Sequence, residues 1–423
     1  MTAHAAPARA PRRPSNLTLL VSGQLLSLLG SEVTKLALPL FALGTLGATS
    51  GETGLLRAAS LAPALVAAPL IGVWVDRTSR RRVLVVTGLA QAVVLVAVTA
   101  ALPHAGSGLA LLVVGVTVLG VLGQFGEVAY PSFVPDVAGG DLPRANGRIF
   151  GAQSLAETVG PGLAGVLLAR AGLGLVLLLD AATFVIASVV ILRIRVVEAV
   201  APPARRALRH EVTVGVRAVL AHPLLRGTVL TSAAYNVLDT AATTVFLVHA
   251  TTALGMSSTQ VGVVMGGAGV GAVLGSVLSA RATAALGFGR GVVTAFVLGS
   301  LAPLPLLLAR DAGPASVALC ASVFAVWAFC VTAYSVQSLS VRQAATPQPL
   351  LGRVMAGSWM FVLGALPLGA LLGGAAGDLW GSGPALTAVL CALPLTALPL
   401  LLSPVRRLTA LPTPDADFWR RHG

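Results

Sequence analysis

"GVWVDRTSRRRVL", residues 72–84, is a short charged segment between two long apolar runs. The flanking runs cover about 52–75 and 83–102, and each has about the length that crosses a lipid bilayer as a helix. Arginines between such runs favour the cytoplasmic side of a membrane, where positively charged loops are retained. Asp76 adds nothing to that orientation signal, which points to a further role for this segment.

The composition of the whole chain agrees with a membrane protein. Of its 423 residues, 56% are hydrophobic and 10% are charged, and the mean hydropathy is +0.89. Soluble domains carry about 25% charged residues. The net charge of +13 does not indicate nucleic-acid binding, because the basic residues lie between apolar runs without interleaved aromatics. The three cysteines lie inside apolar runs without metal or redox spacing, so we expect neither a metal nor a cofactor.

Apolar runs recur along the chain and predict an all-α polytopic membrane protein. Helices are expected because backbone polar groups in lipid must be satisfied within the segment. The sequence predicts twelve transmembrane helices, near 17–46, 52–75, 83–102, 108–133, 143–169, 172–194, 223–250, 258–282, 290–309, 314–341, 350–375 and 383–404.

The distribution of basic residues tests this count. With the N-terminus placed in the cytoplasm, the 28 basic residues fall in cytoplasmic segments with four exceptions. An error of one span would destroy this asymmetry, so we expect a multi-pass protein of the cell membrane with both termini cytoplasmic. The exceptions are Lys35, Arg57, Arg170 and Arg310.

One long connection divides the chain into two related halves. Gly147-Arg148 and Gly352-Arg353 open the fifth and eleventh predicted helices, which indicates an internal repeat of six helices. The second half of the connection has the pattern of a short amphipathic helix. The predicted segments are an N-terminal tail 1–16, a six-helix bundle 17–194, a linker 195–222, a second six-helix bundle 223–404 and a C-terminal tail 405–423.

The charged segment from which we started resembles a cytoplasmic motif of the major facilitator superfamily. In that motif a glycine is followed by an aspartate, an arginine and a basic cluster, although Ser79 stands here where a glycine is usual. The resemblance implies a loop that closes the cytoplasmic side through charge contacts with neighbouring helix ends. The alternative is an ordinary positively charged loop. The matching residues are Gly72, Asp76, Arg77, Arg80 and Arg81.

"GRIFGAQSLAETVGPGLAG", residues 147–165, resembles the fifth-helix signature of antiporters in the same family. Its matching residues are Gly147, Gly160, Pro161 and Gly165. The chain is also similar to the bacterial efflux branch that includes siderophore and macrolide exporters, which implies export. Val121 departs from the arginine that many drug–proton antiporters have three residues before Gln124. Generic tight helix packing is the alternative reading of these glycines.

Ionisable residues inside predicted spans are candidates for proton coupling or substrate binding, because charge in a bilayer is costly. Glu32 and Lys35, the only lysine, lie about one turn apart in the first helix. Glu32 has three possible roles: it carries the coupling proton, binds a cationic substrate, or forms a fixed pair with Lys35 or Arg57. The other candidates are Glu157, Arg57, Asp239 and its neighbour Asn236, whereas Asp180 is expected to hydrogen-bond a neighbour.

Polar and aromatic residues within the spans are further candidates for lining a cavity, although for each single residue packing against lipid or core is the favoured interpretation. They are Gln24, Gln124, Tyr235, Phe246, Trp327, Tyr334, Gln337 and Trp359.

We therefore expect a monomeric secondary transporter that exports a small, lipophilic molecule by alternating access and proton antiport, with multidrug efflux as one form. An importer or uniporter of the same fold, and a polytopic membrane enzyme, are the alternatives. The expected partners are substrate, protons and membrane lipids, without nucleic acid.

Overall fold

The structure is a computed structural model that describes residues 16–66, 71, 74, 75, 78–137, 142–194, 208–415, 418 and 419. This part of the chain is helical and contains no strand, which confirms the all-α prediction. Three of the motif residues discussed above, Gly72, Asp76 and Arg77, lie outside the described residues.

The described part of the N-terminal half contains the helices α1 (Asn16–Gly44), α2 (Ser50–Val66), α3 (Arg80–Ala101), α4 (Gly108–Val137) and α5 (Leu142–Arg193). Helix α5 is 52 residues long but is broken at Gly172, where φ is 71° and ψ is 170°. A residue with a side chain adopts this backbone conformation at a steric cost, and glycine does not. The break divides α5 into two arms, 142–171 and 173–193, so α5 supplies two of the predicted spans.

The C-terminal half follows a linker helix, α6 (Leu208–Ala221). Its helices are α7 (Pro223–Thr252), α8 (Ser258–Leu286), α9 (Phe288–Leu301), α10 (Pro314–Ala344), α11 (Gln348–Trp380), α12 (Ser382–Ala392) and α13 (Leu398–Leu402). Short 3-10 segments lie at Leu102–His104, Leu304–Leu308, Leu393–Ala397 and Pro404–Arg407. The segment Leu393–Ala397 joins α12 to α13, so Ser382–Leu402 forms one span.

Nine helical segments of the described chain are long and apolar enough to cross a membrane. One of them covers both arms of α5 and therefore represents two crossings. Helices α2 and α7 complete the set. The described part of α2 has only 17 residues, and α7 carries Asp239 and many threonines, which lower its hydropathy. The helices thus account for the twelve predicted spans.

We call the end of the molecule with α6 the linker face, and the opposite end the distal face. The start of α3 and the ends of α4 and α5 belong to the linker face, because Arg80 bonds Asp136 and Arg81 bonds Ile191. The loops at 45–49, 102–107, 253–257 and 309–313 belong to the distal face. Separate hydrophobic cores fill the two halves, but Leu40 and Leu43 of α1 join the core of the C-terminal half.

The linker helix is fixed to the C-terminal half. Gly215 of α6 lies directly against the carbonyl of Arg353 in α11, where a Cβ atom would not fit. The chain end adds an aromatic contact, because the Trp419 Nε1 donates a hydrogen bond of 3.0 Å to the Ala345 carbonyl. The ring of His222 contacts those of Phe418 and Trp419, at centroid distances of 4.6 and 5.8 Å. We call Asp415, Phe418 and Trp419 the C-terminal hook.

The two halves meet mainly through two helix pairs, α2 with α11 and α5 with α8, and α2 also contacts α7. In the first pair, a Cβ on Gly54 would lie 2.5 Å from the Ala370 carbonyl oxygen and 2.9 Å from the Cα of Gly374. In the second, Gly262 packs against the Pro161 carbonyl. These contacts use the distal portions of all four helices, so the distal face is closed.

Candidate functional site

The charged residues of α1 form an ion pair in the middle of the first span. The Lys35 Nζ lies 2.5 Å from the Glu32 Oε1, as expected for residues three positions apart on a helix. The Lys35 side chain is 67% exposed and that of Glu32 is 19% exposed. An ammonium at this depth is costly in lipid, so its exposure places the pair against a water-accessible space.

Two carboxylates from neighbouring helices complete this group. Glu127 of α4 and Glu157 of the first arm of α5 both interact electrostatically with Lys35. Glu157 is held by Gln153, whose Nε2 donates a hydrogen bond of 2.9 Å to its Oε1. Glu32, Lys35, Glu127 and Glu157 form what we call the N-half charge cluster. Its three carboxylates exceed its one ammonium, so it suits a proton or a cationic group.

Gly160 sets the position of Glu32. A Cβ on Gly160 would lie 2.5 Å from the Cβ of Glu32, which is far inside van der Waals contact. The glycine therefore allows α1 and α5 to cross closely at the carboxylate. Pro161 and Gly165 of the same signature instead face α8, against Gly262 and Ser258 of the C-terminal half. A Cβ on Gly147 would meet nothing within 4 Å.

Asp180 is separate from the exposed pair. It is 3% exposed and accepts a hydrogen bond of 2.6 Å from the Thr34 Oγ1. The Thr183 hydroxyl also lies 3.4 Å from its Oδ1. The prediction that Asp180 hydrogen-bonds a neighbour is confirmed, and its contacts join the second arm of α5 to α1.

In the C-terminal half, Asp239 of α7 accepts a hydrogen bond of 3.1 Å from the Tyr235 hydroxyl. Tyr235 in turn accepts a hydrogen bond from the Trp327 Nε1 of α10. Asn236 lies on the same helix but donates to the Val362 carbonyl of α11, at 2.9 Å. Asp239 is thus oriented by a short chain of buried donors, whereas Asn236 ties α7 to α11.

Arg57 connects the two halves. It extends from α2, and its Nη1 donates to the hydroxyl oxygens of Thr243 and Thr244 on α7, at 3.2 and 3.0 Å. It also interacts electrostatically with Asp239. The two threonines had no distinguishing signal in the sequence, since threonine is common in α7 and their partner is 186 and 187 positions away.

The predicted cavity-lining residues fall into two groups. Tyr235, Phe246, Trp327, Tyr334 and Gln337 are buried in the C-terminal half, and the four aromatic ones belong to its core. Gln24 and Gln124 are partly exposed, and Trp359 is 44% exposed.

Within the predicted gating loop, Arg80 and Arg81 are described, and both contact the N-terminal half. Arg80 forms an ion pair of 3.2 Å with Asp136 at the end of α4. The Arg81 Nε donates to the Ile191 carbonyl at 3.2 Å, and its Nη2 bonds that of Leu192. Both arginines therefore fix the start of α3 to neighbouring helix ends. Among the described residues, no group of three or more His, Cys, Asp or Glu side chains is placed to hold a metal.

Comparison with known proteins gives a family. The model of the Major Facilitator Superfamily matches residues 20–356. No curated protein matches the chain significantly.

Among solved structures, a bacterial homologue of the iron transporter ferroportin in an inward-facing state superimposes with a TM-score of 0.71 and 18% identity. That match covers 91% of this chain and 98% of the other. The outward-facing state of a bacterial ferroportin homologue gives a TM-score of 0.58 at 17% identity, over 92% and 99% of the two chains. The nucleoside transporter NupG gives 0.70 at 13% identity, over 92% and 98%.

These likenesses show a common fold. They confirm the predicted architecture of twelve transmembrane helices in two bundles. The family match covers most of the chain and reaches from α1 into α11. The chain belongs to the major facilitator superfamily, and it is a multi-pass membrane transporter rather than an enzyme.

Proposed function

We propose that the protein is a secondary exporter of the cytoplasmic membrane that moves a small, lipophilic molecule outward in exchange for protons. The observation that carries this proposal is the exposed N-half charge cluster, in the middle of the span at Glu32 and Lys35. A carboxylate there can exchange a proton with water, and its protonation changes the pair with Lys35 from neutral to a net charge of +1. The fifth-helix glycine signature supports export.

The proposed orientation places the linker face in the cytoplasm. The arginines at the linker face, among them Arg80, Arg81, Arg193 and Arg353, support this through the positive-inside rule. The closed distal face and the higher TM-score with an inward-facing structure support an inward-open state. In that state the N-half charge cluster is reached from the cytoplasm.

In the proposed cycle, substrate enters from the cytoplasm while Glu32 is ionised and paired with Lys35. Rocking of the halves then exposes the path outward, where substrate leaves and a proton neutralises Glu32. In the proposed cycle the molecule with neutral Glu32 makes the return step and releases the proton to the cytoplasm. Asp239 is the second proton candidate. The excess of carboxylates favours neutral or cationic lipophilic substrates, including drugs, over anions.

Transport in proteoliposomes tests this proposal. We expect that an imposed pH gradient drives efflux of a substrate identified by a susceptibility screen in an efflux-deficient host. Glu32→Gln should abolish the response to the gradient while leaving substrate exchange without a gradient. Glu52→Gln is the matched control, because Glu52 caps α2 at the distal face through Thr49 and a glutamine can make the same contact.

Two outcomes would overturn parts of the proposal. Normal coupling in Glu32→Gln would remove Glu32 as the proton site. Wild-type counterflow that ignores the pH gradient would replace antiport by facilitated transport.

A further inference from the structure

We propose that Arg57 is the distal lock of this transporter. By this we mean a cation of the N-terminal half that keeps the distal face closed by donating hydrogen bonds to Thr243 and Thr244 of the C-terminal half. The inference rests on the proposed alternating-access function and assigns the closed state to particular contacts. It is carried by two hydrogen bonds, of 3.2 and 3.0 Å, that cross the interface between the halves.

The two threonines are oriented as acceptors. The Thr243 hydroxyl donates to the backbone carbonyls of Asp239 and Thr240, at 3.0 and 3.1 Å. The Thr244 hydroxyl donates to the Thr240 carbonyl at 2.7 Å. A hydroxyl has one hydrogen and two lone pairs, so each oxygen is left with a free acceptor position. The Arg57 Nη1 donates a hydrogen bond to each of these two acceptor oxygens.

Asp239 supplies the matching charge. It lies one turn from Thr243 on α7 and attracts Arg57 electrostatically. Yet Asp239 is in neither of the ion pairs found among the described residues. Its carboxylate is instead held by Tyr235. Arg57 is therefore held by neutral acceptors in the field of a nearby acid, an arrangement that can be broken without separating a direct ion pair.

The position of Arg57 makes it a lock. It lies one turn inside Gly54, the residue at which α2 packs against Gly374 of α11. Helix α2 thus contacts α11 through its glycine and α7 through its arginine. The distal ends of the halves cannot separate while Arg57 remains bound to α7.

Distances between spin labels test the lock without any transport assay. We would label Cys residues introduced at His104 and Arg310, which are exposed in distal loops of the two halves, after replacing the exposed Cys391 by serine. Pulsed electron paramagnetic resonance on the purified protein, without substrate, then reports the closed and open populations of the distal face.

Arg57→Gln and the double variant Thr243→Val/Thr244→Val should each raise the ratio of open to closed molecules by about tenfold, because each removes charge-assisted hydrogen bonds of the closed state. Valine keeps the shape of threonine but lacks the acceptor oxygen. Thr252→Val is the matched control, since Thr252 bonds only the Val248 carbonyl of its own helix, and it should leave the distances unchanged.

The combined variant of Arg57, Thr243 and Thr244 should open no further than Arg57→Gln, because all three changes break the same contact. Unchanged distances in either Arg57→Gln or the threonine pair would overturn the inference, as would additive effects in the combined variant. If transport proves independent of protons while these variants still open the distal face, the lock stands. Only the proposed proton coupling is then contradicted.

Discussion

At the scale of single residues, the site depends on one glycine behind one carboxylate. Gly160 leaves room for Glu32, and Glu32 pairs with Lys35 at 2.5 Å in a space that water can reach. Packing and charge are therefore linked. A change that moves α1 relative to α5 also moves the carboxylate away from Glu157 and Glu127.

Gly160→Ala should destabilise the protein by about 1–3 kcal/mol and reduce transport, because its methyl group would overlap Glu32. Gly162→Ala is the control in the same helix. A Cβ there would meet nothing within 4 Å, and alanine should stabilise the helix by about 0.5–1 kcal/mol. Thermal unfolding of the two purified variants checks the opposite signs. Equal melting temperatures would contradict the close crossing of α1 and α5.

Sequence reasoning could identify some of these residues and not others. The contact of Glu32 with Lys35 follows from their spacing on one helix, and the sequence also predicts the hydrogen bond of Asp180 to a neighbour. The partners of Arg57 and Asn236 lie on other helices, in segments distant in sequence. Such contacts depend on how helices cross, which hydropathy and spacing do not encode.

At the scale of elements, the linker helix and the C-terminal hook form one unit with the C-terminal half. His222 is central to this unit, because its ring contacts both Phe418 and Trp419. Burial lowers the pKa of His222, and the nearby Asp415 carboxylate opposes this shift. The docked hook therefore favours the neutral imidazole.

The lowered pKa of His222 determines how docking of the C-terminal hook depends on pH. A histidine whose pKa is lowered in the docked state stabilises docking above its ordinary pKa of about 6.5 and loses this contribution as the pH falls below it. We expect the backbone amides of residues 405–415, 418 and 419 to exchange hydrogen faster at pH about 5 than at pH about 7.5, after correction for intrinsic rates. His222→Phe retains an aromatic ring without titration and should remove the difference. A pH effect that persists in that variant would exclude His222 as its cause.

The sequence predicted one break in the helices and missed another. The gap between the predicted spans 143–169 and 172–194 lies directly before the break at Gly172, where glycine permits a positive φ. The last predicted span, 383–404, is interrupted by the 3-10 segment Leu393–Ala397. Prolines 394 and 399 lie at this interruption, and proline removes a backbone donor from a helix. An apolar run alone did not reveal the change of helix type.

At the scale of the whole molecule, small residues bring the distal ends of the halves together. Gly54 and Gly374 meet between α2 and α11, and Gly262 meets Pro161 between α8 and α5. Backbones approach closely where side chains are absent, which is how helices associate in membranes. Each pair joins one helix of the N-terminal half to one of the C-terminal half.

Gly54→Ala should shift the protein toward the distal-open state, since its Cβ would lie 2.5 Å from the Ala370 carbonyl oxygen. The spin-label pair at positions 104 and 310 measures this shift as a longer distance. Gly126→Ala in α4 is the control, because nothing lies within 4 Å of a Cβ there. An unaltered distance distribution in Gly54→Ala would show that the glycine contact does not determine closure.

The architecture of the molecule was predictable in large part. Hydropathy gave twelve spans, the positions of arginine gave their alternation, and the repeat of Gly-Arg gave two halves. Which face is closed could not be predicted, because the conformations of a transporter share one sequence and differ by a few kcal/mol. In the sequence, the glycines and threonines that meet at the distal face do not differ from others of their type. Their contacts become visible only when the two halves are placed together.

The single lysine has a practical consequence. Lys35 is the only ε-amine in the chain, and 67% of its side chain is exposed. Among the side chains of this sequence, an amine-reactive reagent therefore has Lys35 as its one ε-amine target. A fluorophore or mass tag attached there requires no engineered cysteine, and its rate of attachment measures how often the interior of the native transporter is open to solvent.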